Sequence, residues 1–167
     1  MTAGDVTGVL TRTPGGVTVR FERAYPTSPE DLWASLTEPE RVARWLGPLY
    51  GDLRVGGRYE VRMGDDVPDS AENATGEILA CDPPRHLAVS WVFPTEVVTR
   101  VEVDVRPGDA GAVLVLRHVD LEDAAARGYG GGWHACLDQL GDLVAGRPVR
   151  GWQEAFDAAA PSYRDAV

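Results

Sequence analysis

The clearest signal along the chain is a change in the period of its apolar residues. Val17, Val19, Phe21 and Tyr25 share one parity, with Thr18, Arg20 and Glu22 on the other. Successive side chains of an extended backbone point to opposite faces, so this alternation predicts a half-buried strand. A shorter stretch at 8–12 precedes it across the turn-forming Thr13-Pro14-Gly15-Gly16, which predicts an N-terminal hairpin. At Ser28-Pro29-Glu30-Asp31 the alternation stops. Ser28 is placed to cap a helix, Pro29 has no N–H to lose at the first helical position, and Asp31 stands at the capping-box position. Leu32, Trp33 and Leu36 form the apolar face of that helix. Thr37-Glu38-Pro39-Glu40 restarts a second short helix expected to run through Trp45, with Val42, Trp45 and Leu46 on one side, before Gly47-Pro48 ends it.

From 51 to 119 the pattern is almost entirely that of strands. Tyr59, Val61 and Met63 alternate with Arg58, Glu60 and Arg62, and 65–73 is a polar, acidic loop. A strand at 75–81 is closed by Asp82-Pro83-Pro84. Leu87, Val89, Trp91 and Phe93 share a parity, as do Val97, Thr99, Val101, Val103 and Val105, and a last strand covers 112–119 after a turn at 107–111. Short connections between successive strands imply an antiparallel meander. The period then lengthens again. Trp133, Leu137, Leu140 and Val144, with Cys136 beside them, make one apolar stripe on a long helix that ends near Gly146-Arg147-Pro148. Its start is open. Residues 121–127 have a helical pattern, but Gly128, Gly130, Gly131 and Gly132 either break it or mark a close approach of backbone to its neighbours. A final short helix is expected at 152–163.

A sheet with one apolar face must bury that face, and the long C-terminal helix is the only large amphipathic element able to cover it. The expected architecture is α+β: an antiparallel sheet around a long C-terminal α-helix, with two short helices after the first long strand closing one end. The length of 167 residues fits a single domain over 1–167, with a core at about 8–146 and a C-terminal extension at about 147–167.

Several local sequences occur in an order that identifies a relationship. They are Phe21-Glu22-Arg23, the helix start Ser28 to Trp33, Thr37-Glu38-Pro39-Glu40 leading to Trp45, Val55-Gly56-Gly57-Arg58-Tyr59, Gly76-Glu77-Ile78 leading to Asp82-Pro83-Pro84, Leu87 to Trp91, and Gly132-Trp133 leading to Leu137 and Leu140. Over about 8–160 the chain resembles the bacterial homologues of the heat-shock-protein ATPase activator, in the START-like (SRPBCC) superfamily with the helix-grip fold. The resemblance implies a curved sheet and a deep apolar pocket between it and the long helix. Superfamily members bind lipids, sterols, polyketides and other apolar molecules, and some are cyclases, dehydratases or hydrolases. None of the matched residues is catalytic, so the resemblance implies a fold and a pocket, not a reaction.

Charge and composition narrow the partners. With 26 acidic residues against 16 basic ones the net charge is −10, which disfavours nucleic acid and anionic membrane surfaces. No run approaches the ~18 apolar residues of a membrane span, and 1–13 lacks the basic and apolar regions of a secretory leader. Cys81 and Cys136 form no CxxC pair, so both read as reduced thiols and the cytoplasm is the expected location. The three histidines show no HxH or HExxH spacing, so neither a metal nor another cofactor is expected. There is no GxSxG elbow, and no GK[ST] follows the glycine cluster. The aromatic residues carry more information. Trp33, Trp45, Tyr59, Trp91, Phe93 and Trp133 all fall at core-facing positions, where large flat side chains fill a core or line a cavity. The expected ligand-binding set is Trp45, Tyr59, Val61, Trp91, Phe93, Val101, His118, Trp133, His134 and Leu137, with Tyr59, His118 and His134 as its polar members. The leading reading is a binding protein for a small apolar molecule, in which Trp133→Ala weakens binding more than folding. A polyketide-cyclase-like or hydrolytic enzyme using His118, His134 or Tyr59 as acid or base is a second reading. A chaperone ATPase regulator or other interaction module is a third, and a homodimer is compatible with all of them.

Overall fold

The computed structural model describes residues 6–167, and the first part of the stretch expected to lack a leader, 1–5, lies outside them. Strands β1 (Val9–Thr13) and β2 (Gly16–Tyr25) form the N-terminal hairpin. Helices α1 (Pro29–Thr37) and α2 (Pro39–Val42) follow, then β3 (Leu49–Gly51), β4 (Arg58–Arg62), β5 (Asn73–Asp82), β6 (His86–Trp91), β7 (Thr99–Gly108) and β8 (Gly111–Leu121). The chain ends with the long helix α3 (Asp123–Val144), a short helix α4 (Trp152–Ala159) and a 3-10 turn (Ala160–Tyr163). The eight strands make one antiparallel sheet in the order β1-β2-β8-β7-β6-β5-β4-β3. Only the β2–β8 pair joins strands distant in sequence, which closes the meander against the N-terminal hairpin. The sheet curves around α3 as a helix grip.

Local chemistry accounts for these elements. Ser28 Oγ accepts a hydrogen bond from the Asp31 N–H at 3.1 Å, capping α1, while the Asp31 carboxylate takes Thr27 and Arg41 as donors. The alternating strands place Val17, Val19, Phe21 and Tyr25 of β2 with Leu114, Leu116 and Leu121 of β8 in a single core against Leu137 and Leu140 of α3. Arg23 interrupts the apolar parity of β2 yet is buried. Its guanidinium pairs with Asp138 of α3 at 3.0 Å and donates to the Val6 carbonyl, so the charge is compensated where it is buried.

Four expectations are corrected. The second helix stops at Val42, and 43–46 form turns that carry Trp45 inward. Met63 lies beyond the end of β4. Val97 lies before the start of β7, and both Val97 and Val98 are exposed on the loop that precedes Thr99. Leu121 belongs to β8 rather than to a helix. The long helix then runs without a break through its glycines.

The segment after 145 folds back onto α3. Gly130 and Gly131 permit this approach. A Cβ on Gly130 would lie 2.6 Å from the Tyr163 ring, and one on Gly131 would lie 3.1 Å from Phe156 and 3.3 Å from Ala160. The Tyr163 hydroxyl accepts from the Gly8 N–H at 2.7 Å and lies 2.8 Å from His134 Nδ1, so it ties both ends of the chain to α3. At the other end of the segment the buried Asp142 carboxylate receives the Arg150 backbone N–H and the guanidinium groups of Arg147 and Arg150. These donors hold its carboxyl well below the usual carboxylate range.

Candidate functional site: an aromatic cavity at the open end of the grip

On α3, residues Ala125, Gly128, Tyr129, Gly132, Trp133, Cys136 and Gln139 recur at intervals of one, three or four, which places them on one face. That face borders a cavity of about 570 Å³. Gly128 and Gly132 stand one turn apart on it, and a Cβ on either would meet nothing within 4 Å. Across the space lie Trp45 and Leu46 from the turns after α2, Trp91 at the end of β6 and Phe93 just beyond. Trp152 and Phe156 of α4 complete the enclosure, stacked with centroids 4.8 Å apart and planes 15° apart. Trp45, Leu46, Trp91 and Trp133 also border a second, smaller space of about 90 Å³ between sheet and helix. These four side chains therefore form the partition between an outer chamber and a nearly filled inner one.

Two hydrogen-bond chains stiffen the partition. In the first, Trp91 Nε1 donates to the Tyr129 hydroxyl at 3.0 Å, and that hydroxyl donates to Glu96 Oε1 at 2.5 Å. Burial raises the Tyr129 pKa, and the bond to Glu96 adds to the effect. In the second, Trp133 Nε1 donates to His118 Nδ1 at 3.0 Å. That bond fixes the tautomer, so the proton sits on Nε2, which donates to Thr99 Oγ1 at 2.7 Å. His118 is fully buried, and burial lowers its pKa to about 3, so the ring is neutral at physiological pH. The Cys136 thiol on the cavity wall is pushed up to about 12 by burial and stays protonated. Among the described residues no group of His, Cys, Asp and Glu side chains could hold a metal ion.

The ten residues expected at the site divide by position. Trp45, Trp91 and Trp133 border both chambers and Phe93 borders the outer one, while Tyr59, Val61 and Val101 border only the inner one. Leu137, His118 and His134 border neither. Leu137 is core, packed where Tyr25 Oη donates to its carbonyl. His118 does point inward from β8, but the Tyr129 ring lies against it, tilted by 57° with centroids 4.4 Å apart, and the Trp133 N–H takes up its Nδ1. His134 is the neighbour of Trp133, and one residue along a helix turns its side chain by about 100°. It faces Phe21, Tyr163 and Asp138 on the opposite flank. Tyr59 donates its hydroxyl proton to the Ser90 carbonyl and presents only its ring to the inner chamber. None of the three side chains considered as acid or base therefore reaches the outer cavity. Trp133, with its indole N–H satisfied inside the core, supports the fold as well as the cavity wall.

Tyr129, Glu96, Gly128, Gly132, Trp152 and Phe156 were not anticipated as site residues. Two signals for them exist in the sequence. Tyr129 precedes Trp133 by four residues on the same stripe, and Trp152 and Phe156 repeat that spacing in the extension. The glycines between Tyr129 and Trp133 obscured the first.

A curved antiparallel sheet gripping one long helix, with an aromatic cavity at its open end, defines a START-like protein of the helix-grip class. Residues 26–145 match the family model described as activator of Hsp90 ATPase homolog 1-like protein, and the chain belongs to that family. Among solved structures it is similar to CalU16 from Micromonospora echinospora, at 28% identity over 95% of this chain and 97% of that one, with a TM-score of 0.73. A protein from Bordetella parapertussis is 26% identical over 100% of this chain and 96% of its own, also at 0.73. DynU16, from the dynemicin biosynthetic locus, shares the fold at 22% identity and a TM-score of 0.71, with 80% of this chain and 49% of that one aligned. No curated protein matches the chain. No helix among the described residues is long and apolar enough to cross a membrane.

Proposed function

We propose that the protein binds a small, largely apolar molecule in the outer cavity, whose size and aromatic lining are those of a ligand pocket. The observation that carries this reading is the pair Gly128 and Gly132. Glycine inside a helix costs about 1 kcal/mol relative to alanine. Gly130 and Gly131 offset that cost by letting the C-terminal segment approach. Gly128 and Gly132 have no protein neighbour to accommodate and face open space. Bare backbone at these positions keeps room on the cavity floor.

The test separates pocket from fold. N-phenyl-1-naphthylamine, an uncharged probe that fluoresces in apolar surroundings, is expected to bind the protein with saturation. Gly132→Leu fills the cavity from a position with room for the side chain, so it should abolish probe binding while the thermal midpoint stays level or rises. Undiminished binding by that variant would place the ligand elsewhere.

A further inference from the structure

The outer cavity has a chemical character beyond being apolar. Trp45, Trp91, Phe93, Tyr129, Trp133 and Trp152 all contribute to its lining, so a ligand there meets aromatic side chains from four separate parts of the chain. Into this lining the protein sets a carboxylate with a defined position. Glu96 accepts a hydrogen bond from the Tyr129 hydroxyl, which itself accepts one from the Trp91 indole N–H. The remaining charged side chains on the lining are Glu72 and Arg44. Arg44 and Glu96 are both exposed. Among the described residues neither forms an ion pair, but Glu96 is held by the Tyr129 hydroxyl, whereas no hydrogen bond orients the Arg44 side chain. The oriented charge at the site is therefore negative, and the surrounding protein, at −10, reinforces that sign.

Aromatic faces and a fixed carboxylate are what a cation with an apolar coat requires. The ring quadrupoles attract the charge, the carboxylate neutralises it, and the hydrocarbon body is removed from water. We infer that the ligand of this cavity carries a basic amine, bound as an ammonium beside Glu96, on an apolar body. The inference rests on the reading of the cavity as a ligand site and specifies the chemistry that site selects.

Three naphthalene probes of similar shape test it by displacement of N-phenyl-1-naphthylamine: (2-naphthylmethyl)trimethylammonium, its uncharged carbon isostere 2-neopentylnaphthalene, and 2-naphthylacetate. The ammonium is expected to displace at about tenfold lower concentration than the isostere. That ratio should shrink most of the way to one in Glu96→Gln and fall in Tyr129→Phe, which frees the carboxylate. Thermal melts of both variants establish that they remain folded. Equal displacement by ammonium and isostere overturns the inference and leaves the pocket reading intact. Preference for 2-naphthylacetate overturns it in favour of an acidic ligand held by Arg44. A ratio that survives Glu96→Gln overturns the role of Glu96. Failure of N-phenyl-1-naphthylamine itself to bind defeats the pocket reading, and this inference with it.

Discussion

The two sides of helix α3 use the same residue for opposite ends. Gly130 and Gly131 lie against Tyr163, Phe156 and Ala160 and are covered by the chain's own C-terminal segment. Gly128 and Gly132, flanking them in sequence, have no such cover. On the first side a missing side chain buys contact, and the surroundings are dense with compensated polar groups: His134 with Tyr163, Arg23 with Asp138, Asp142 with Arg150. On the second side a missing side chain leaves volume, and the polar groups on the lining are few: Arg44, Glu72, Glu96, Tyr129 and Gln139. Composition alone does not distinguish a glycine that permits packing from one that prevents it. What lies opposite each Cα does.

This contrast can be broken most severely at Gly130. Gly130→Leu drives a side chain into the Tyr163 ring, and overpacking of this kind is expected to cost about 3 kcal/mol in urea denaturation. The same change at Gly132 should cost nothing, and replacement by alanine there should add up to about 1 kcal/mol of stability through helix propensity. Equal effects at the two positions would erase the distinction.

Next in size is the clamp on the packed side. Asp142→Asn removes the charge that two arginines and a backbone N–H converge on, at an expected cost of about 2 kcal/mol. The expected signature is faster hydrogen exchange over 152–163 and a red-shifted Trp152 emission, with the exchange of β7 and β8 barely altered.

Acid sharpens the comparison because the two sides respond at different pH. His118 supports the cavity wall as a neutral ring, with a folded pKa lowered from 6.5 to about 3. Its contribution is complete above 6.5 and is lost as the pH falls from there toward 3, because only the unfolded chain takes up the proton. The loss should approach about 1.4 kcal/mol per pH unit below 6.5. Asp142 on the packed side has a lowered carboxyl pKa, so its contribution survives until the pH drops below the ordinary value of 3.8. Between pH 6 and pH 4.5 the stability of the protein should therefore decline with a slope that His118→Gln removes. A slope unchanged in that variant would assign the acid sensitivity to another group.

Much of the architecture was legible because the long strands β2 and β7 have one buried face. The alternation of Val17, Val19 and Phe21, or of Val101, Val103 and Val105, records directly which side meets the helix. Helix starts were legible where a cap performs a specific bond, as Ser28 does. The parity argument failed where a strand ended sooner than its pattern. Met63 and Val97 continue an alternation in sequence after the ladder has stopped. The site was legible in its tryptophans and not in its polar groups. Parity placed His118 on the inner face correctly, but cannot show that Tyr129 and Trp133 stand between it and the cavity. Glu96 acquires its position from a loop, which has no period to read. The cavity floor is defined by side chains that are absent, and absence at Gly128 and Gly132 looks in sequence the same as absence at Gly130 and Gly131.

The stacked Trp152 and Phe156 have a further consequence. The family match ends at 145, yet this pair closes one side of the cavity. The family model therefore spans the frame, while one wall of the cavity stands on the segment that follows it, a segment that the alignments with CalU16 and the Bordetella parapertussis protein also take in. Substitutions confined to that segment would reshape one wall of the cavity and leave the frame as it is.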